Sequence, residues 1–323
     1  MLRSSEFEDW VLELDPKTHL GEDIKVEKIQ QRAKKKQSSI GTALGFLAPN
    51  ITGFLAFVLI PVFASLFLVF TEWDILTPPK WVGFTNFIRL FSDPTFWQVL
   101  KNTLFYTVIS IPLSMLLSFL LALFMNQKIK GITIYRTIYF IPVVSSMVAV
   151  SLMWRWIYNA DFGLLNYFLG LLRIEPVSWL TDTRWAMPAI IMMSVWKGLG
   201  SGMVIFLAGL QGIPKQLYEA ADIDGASGFY KVMKITIPLL TPTFFFVLIT
   251  NIISSFQVFD QTYVLTQGGP MGSTTTIVYY IYKNAFEWFK MGYASAIAWV
   301  LFVFIFALTM LQWHLQGRWV HYE

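Results

Sequence analysis

Six continuous apolar runs punctuate the chain, over residues 46–71, 103–125, 137–157, 186–210, 237–261 and 294–313. Each is long enough to cross a hydrocarbon core about 30 Å thick, which takes about 20 helical residues. Five carry no charge in their middle, and the fourth carries Lys197 near its centre. Interior prolines such as Pro61, Pro112, Pro142 and Pro242 would break a soluble helix, but in a membrane bundle neighbouring groups satisfy the freed carbonyls. A barrel would need alternating strands of about ten residues, and these runs do not alternate. The pattern predicts an all-α membrane protein, a polytopic bundle of six transmembrane helices.

Composition agrees. Of 323 residues, 55% are hydrophobic and 14% charged, against about 25% charged in ordinary soluble domains. The chain has no cysteine, which excludes a disulfide framework, a thiolate zinc site and a cysteine nucleophile. His19, His314 and His321 stand at no ligand spacing such as HExxH, so no metal and no bound cofactor is expected in this chain. The first long apolar run follows a strongly charged segment, unlike the short charged start and cleavage site of a secretory signal, so the first 45 residues are expected to be retained.

Lysine and arginine set the orientation. With the N-terminus inside, the inner segments hold fifteen and the outer segments seven, and eight of the fifteen lie in residues 1–45. The positive-inside rule then puts both termini in the cytoplasm and the chain in the cytoplasmic (inner) membrane as a multi-pass protein. Three parts follow: a basic cytoplasmic tail over 1–45, a transmembrane domain over 46–315 with a polar loop at 212–242, and a cytoplasmic C-terminus at 316–323. The tail, with Lys34, Lys35 and Lys36, could bind anionic lipid or dock on a partner, although a solvated basic helix explains it as well.

The loop at 212–242 has helical grammar. Pro214 suits a first helical turn, Leu217, Ala220 and Ala221 recur on one face, Asp224-Gly225 makes a turn, Ser227 caps a second short helix, and Pro238 precedes the fifth span. Glu219, Ala220, Ala221, then Asp224-Gly225-Ala226, then Ile235, Ile237 and Pro238 resemble the EAA loop of permeases in binding-protein-dependent importers. The resemblance implies a coupling helix seated in a groove of a separate ATPase. Glu219 would pair with a cation there, Ala220 and Ala221 would permit close approach, and Asp224-Gly225 would make the sharp turn.

A second resemblance narrows the family. Phe259-Asp260, Thr266, Gly268-Gly269-Pro270, Thr275, Tyr282, Ala285-Phe286, Gly292-Tyr293 and Ala296 are similar to the region before the last span in carbohydrate-uptake permeases of the maltose type. Asp93-Pro94, Phe96-Trp97 and Asn102-Thr103 resemble their first outer segment. The match covers about residues 46 to 315, and the chain is also similar to alginate-importing permeases. It implies the type I importer permease fold, a second homologous permease, two ATPase subunits that bind ATP and Mg, and a solute-binding protein delivering sugar.

Candidate pathway residues lie on spans four and five. Ser194, Lys197, Gly198 and Ser201 share one helical face. A central lysine costs roughly 3 kcal/mol on insertion scales, so Lys197 should face a cavity or partner, where it could hold an anionic sugar or hydrogen-bond backbone carbonyls. Thr250, Ser254, Gln257 and Gln261 align on span five beside Asn251 and Asp260, and they suit either sugar hydroxyls or interhelical packing. Trp196 and Tyr263 could stack on sugar rings or anchor the interface. The glycines from Gly198 to Gly202 lack the GxxxxGK[ST] pattern of a phosphate loop and read as close packing. Two alternative functions remain: a membrane glycosyltransferase using Asp222 and Asp224 as a D-x-D pair, and an ion-driven secondary transporter, which the absence of a carboxylate inside any span disfavours.

Overall fold

The computed structural model describes residues 43–127 and 130–320. The basic tail predicted over 1–45 lies outside the described residues up to 42, as do Lys128 and the last three residues of the chain. The chain divides into a unit ending at Ala64 and a unit from Ser65 onward.

Helix α1 (Ala43–Leu68) is strongly apolar, with Asn50, Thr52 and Ser65 among its few polar residues. It passes through a π-turn at Leu55–Leu59 immediately before Pro61. A proline has no N–H and its ring presses on the carbonyl four residues back, and the wider turn relieves both. A short hairpin follows, β1 (Thr71–Glu72) against β2 (Lys80–Trp81), then helix α2 (Thr85–Ser92).

Two long helices form the centre. Helix α3 (Pro94–Met125) begins at Asp93, whose carboxylate accepts from the Thr95 amide at 2.8 Å, with Pro94 as the first helical residue. That is a standard N-terminal cap. Helix α7 (Ala186–Gly212) packs along α3 over much of its length. The approach of helix α4 (Ile132–Val144) to α7 depends on Gly200, where any Cβ would collide with the Tyr139 carbonyl oxygen. This is the packing role read from the glycine-rich stretch.

Among the described residues, four helices are long and apolar enough to cross a membrane, or up to six if each of two bent pairs counts as one span. The bends correct the sequence reading of two runs as plain helices. The run at 137–157 is α4 followed by α5 (Met147–Ile157), turned by 101°. Ser145 and Ser146 are extended there (ψ 144° and 136°), and the Ser145 hydroxyl donates to the Ile141 carbonyl at 3.0 Å. The run at 237–261 holds the end of one helix, the whole of the next, bent from it by 66°, and the start of a third at Asp260. Pro242 removes the N–H that the Pro238 carbonyl would use, and the Thr241 hydroxyl supplies the missing donor at 2.8 Å.

The remaining elements are α6 (Leu164–Leu171), α8 (Lys215–Ile223), α9 (Gly228–Leu239), α10 (Thr241–Phe256), α11 (Asp260–Leu265), α12 (Ile277–Tyr282) and α13 (Met291–Gln316). Three buried clusters hold the second unit together. One joins α3, α5, α7 and α11 around Tyr106, Tyr158 and Ile190. Another joins α3, α7 and α10 around Phe119, Phe206 and Leu240. A third seats α13 on α3, α10 and α12 around Phe96, Phe256 and Ile297. The segment between α5 and α7 is held by buried Asn166, which donates to Ala160 and Val177 carbonyls and accepts from the Val177 amide and Trp179 Nε1.

Candidate functional site

Polar groups gather at two places: a cavity among α3, α7, α10 and α11, and the turn joining α8 to α9. The cavity exists because α10 stops at Phe256, residues 257–259 leave the helix, and α11 restarts at Asp260. Irregular backbone at membrane depth is tolerated where it lines such a space. The volume is about 400 Å³, and Asn251, Ser254, Gln257, Asp260 and Gln261 all line it. Opposite them stand Ser194 of α7 and Tyr106, Ser110 and Ser114 of α3.

Hydrogen bonding decides what each wall offers. The Ser254 hydroxyl donates back to the Thr250 carbonyl at 2.9 Å, so it faces the cavity as an acceptor. Gln261 is buried, and its amide nitrogen reaches Ser194 Oγ at 3.2 Å and the Tyr106 hydroxyl at 3.5 Å, tying three helices into the wall. Gln257 and Asp260 are exposed, and Asn251 is half-buried. Amides offering donors and acceptors, beside a carboxylate and a hydroxyl acceptor, suit a hydroxylated solute whose every O–H both donates and accepts. A second cavity of about 270 Å³ shares Ser114, Asn251 and Ser254 and continues along Gly198, Ser201 and Thr250. The two make one polar groove along the helices.

Three predicted pathway residues stand elsewhere. Lys197 Nζ donates to the Val143 carbonyl of α4 at 3.3 Å. Val143 lies in the last turn of α4, where carbonyls lack helical partners. Trp196 packs edge to face on Trp154 at 5.4 Å and faces an apolar groove with Phe105 and Leu199. Tyr263 stacks on Phe259 at 5.5 Å beside the cavity. The sequence reading missed Tyr106, Ser110 and Ser114. Their spacing of four residues, continued by Ser118, was the available signal.

The turn between α8 and α9 is closed by its own groups. Gly225 has φ +73°, its amide donates to Asp222 O at 3.1 Å, and the Ala226 amide donates to Ala221 O at 2.9 Å. This is the Schellman pair, and a residue with a side chain would be strained at that φ. Ser227 Oγ accepts from the Tyr230 amide at 3.3 Å, capping α9. Lys231 Nζ meets Asp222 at 2.6 Å and braces the two helices. Glu219 and Ala220 are exposed, Ala221 is half-buried, and Ile223 and Phe229 project with 88% and 77% of their surface open. Of the D-x-D that a glycosyltransferase would need for a metal, Asp222 is engaged by Lys231.

At the opposite end, Asp93 accepts from the Tyr280 and Tyr293 hydroxyls at 2.6 and 2.7 Å. Burial raises its pKa, but these hydrogen bonds and those from Thr95 outweigh it and hold the carboxyl below the ordinary value of 3.8.

Residues 102–321 match the family of binding-protein-dependent transport system inner membrane components. The chain belongs to that family. This permease is 40% identical over 299 residues to YesP, a probable ABC transporter permease protein of Bacillus subtilis (strain 168), covering 91% of this chain and 96% of that one. It is 36% identical over 276 residues to LacF, the lactose transport system permease protein of Rhizobium radiobacter, covering 83% and 92%. Among solved structures it is similar to a chain of a bacterial ABC transporter involved in the import of the acidic polysaccharide alginate. That likeness has a TM-score of 0.79 and 26% identity, over 89% of this permease and 99% of that chain. The permease therefore has the type I importer fold and sits in the inner membrane.

Proposed function

We propose that the permease moves sugars or oligosaccharides, delivered by a solute-binding protein, through the polar groove along α3, α7 and α10. The continuous lining of amides, hydroxyls and one carboxylate carries this reading. Named relatives transport lactose, trehalose or maltose, and arabinooligosaccharides, and the alginate transporter has been captured with a periplasmic protein bound to an alginate pentasaccharide. In this reading Gln257, Asn251 and Asp260 bind sugar hydroxyls, while Ser254 and Gln261 shape the wall. Lys197 joins α7 to α4.

The turn bearing Glu219, Ala220, Ala221, Asp224 and Gly225 faces the cytoplasm and seats on an ATPase subunit, with Ile223 and Phe229 filling apolar pockets of that partner. ATP and Mg act in that subunit, and no covalent chemistry occurs here. A second homologous permease supplies the other wall of the path. ATP-driven closure draws the two turns together and reverses the access of the groove, a transition of hinge type. The test is uptake in proteoliposomes holding the whole transporter, with binding protein outside and ATP inside. ATP-dependent sugar entry that is weakened by Gln257→Leu supports the reading. Entry of non-sugar solutes alone would overturn it.

A further inference from the structure

A row of aromatic side chains leaves the cavity and runs to the surface. Phe259 lines the cavity and stacks on Tyr263 at 5.5 Å with planes 19° apart. Tyr263 meets Tyr282 at 5.6 Å, and Tyr282 meets Phe286 at 5.5 Å. Trp288 lies apart from this row, edge to face on Tyr280 at 6.0 Å and under Lys283 Nζ at 5.3 Å. Phe259 and Tyr263 come from the start of α11, Tyr282 ends α12, and Phe286 lies in the π-turn that follows it. That turn, Lys283–Glu287, places Phe286 outward while Ala285 and Asn284 stay buried.

Neighbouring Tyr279 is 3% exposed. Tyr263 keeps 40% of its surface open, Phe286 58% and Trp288 44%. Successive ring centres lie about one pyranose apart. A sugar ring has an apolar C–H face and a polar edge, so it needs a flat apolar surface beneath it and hydrogen-bonding groups beside it. The rings, turned by 19°, 75° and 40° from one to the next, supply apolar faces and edges in steps, the cavity supplies the hydrogen-bonding groups, and the two share Phe259.

We infer that Phe259, Tyr263, Tyr282 and Phe286 form an extended subsite on which the trailing rings of an oligosaccharide stack while its leading ring occupies the polar cavity. This rests on the sugar reading proposed above. The row adds nothing for a ligand one or two rings long and gains weight with each further ring, so it selects for length.

The experiment compares disaccharides with penta- and hexasaccharides, using maltooligosaccharides and alginate oligosaccharides, in proteoliposomes of the complete transporter. The double variant Tyr263→Ala with Phe286→Ala should raise KM for the longer chains about tenfold and leave the disaccharide KM within about twofold. Tyr263→Phe with Phe286→Tyr, which keeps both flat surfaces, should restore the longer chains. An equal change at every chain length, or no change at any, overturns the inference and returns the rings to a role in packing or lipid contact. A wild-type transporter that carries disaccharides but no longer chain overturns it while leaving the sugar reading intact. One that carries no sugar at all removes both.

Discussion

The groove and the α8-α9 turn are both polar, yet their polar groups are arranged in opposite ways. In the turn the Gly225 and Ala226 amides, the Ser227 hydroxyl, Asp222 and Lys231 satisfy one another within a dozen residues. What they leave outside includes the carboxylates of Glu219 and Asp224 and the apolar side chains of Ile223 and Phe229. In the groove the internal bonds serve only to fix the wall, through Gln261 and Ser254, and Gln257, Asn251 and Asp260 remain open. Closed local bonding makes an element that moves as a unit and transmits force. Open bonding makes a surface that waits for a ligand. The first needs residues close in sequence, and the second needs four helices.

If that contrast is right, damage to the two regions should separate. The largest effect is expected from Glu219→Ala, which removes the exposed carboxylate from a predicted interface. Uptake should fall by roughly thirtyfold, as for a hot spot of about 2 kcal/mol, while sugar protection of the detergent-purified transporter is unchanged. Loss of both together would break the comparison. Gly225→Val forces a β-branched residue to φ +73° and should cost about 1–2 kcal/mol of turn stability. It should slow ATP-driven uptake at constant KM, as stopped-flow uptake would show. Gln257→Leu should do the reverse, raising KM about five- to tenfold for the loss of a hydrogen bond worth about 1 kcal/mol, with ATPase assembly intact on co-purification.

Asp93 belongs to neither region and serves as a reference. Its folded pKa lies below the unfolded one, so its contribution to stability is present above pH 3.8 and is lost as pH falls through the lower folded value. Thermal unfolding in detergent should show that loss in the wild type and less of it in Asp93→Asn. The smallest effect is expected from Asp222→Asn. The Asp222 side chain is 62% exposed, and exposed pairs are worth at most about 1 kcal/mol, so uptake should fall less than about twofold.

How legible each part was follows from the distance between the residues that make it. The α8-α9 turn was readable in detail, since Pro214, Asp224-Gly225 and Ser227 act on neighbours a few positions away. The membrane runs were readable as runs, but hydropathy carries no direction, so the 101° turn at Ser145 and Ser146 stayed hidden within a single apolar stretch. In the groove, the stripe from Thr250 to Gln261 was visible because its residues are close in sequence, although α10 carries only Thr250 and Ser254 and Gln261 belongs to α11. Tyr106, Ser110 and Ser114 were passed over because α3 is otherwise apolar and their meaning comes from the helices opposite. The direction of Lys197 depended on an end of α4 that no local pattern announces.

If the turn receives force from an ATPase, as proposed above, the 66° corner between α9 and α10 would work as a bell crank, with α9 the short arm and α10 the long arm ending at the break beside the groove. At 1.5 Å per residue the 16 residues of α10 span about 24 Å. A rotation of roughly 10° at Leu240 would therefore swing Phe256 and Gln257 by about 4 Å, enough to part their amides from a bound solute. The proline at this corner would then be the pivot of the lever, with the Thr241 hydroxyl donating to the Pro238 carbonyl in place of the missing N–H.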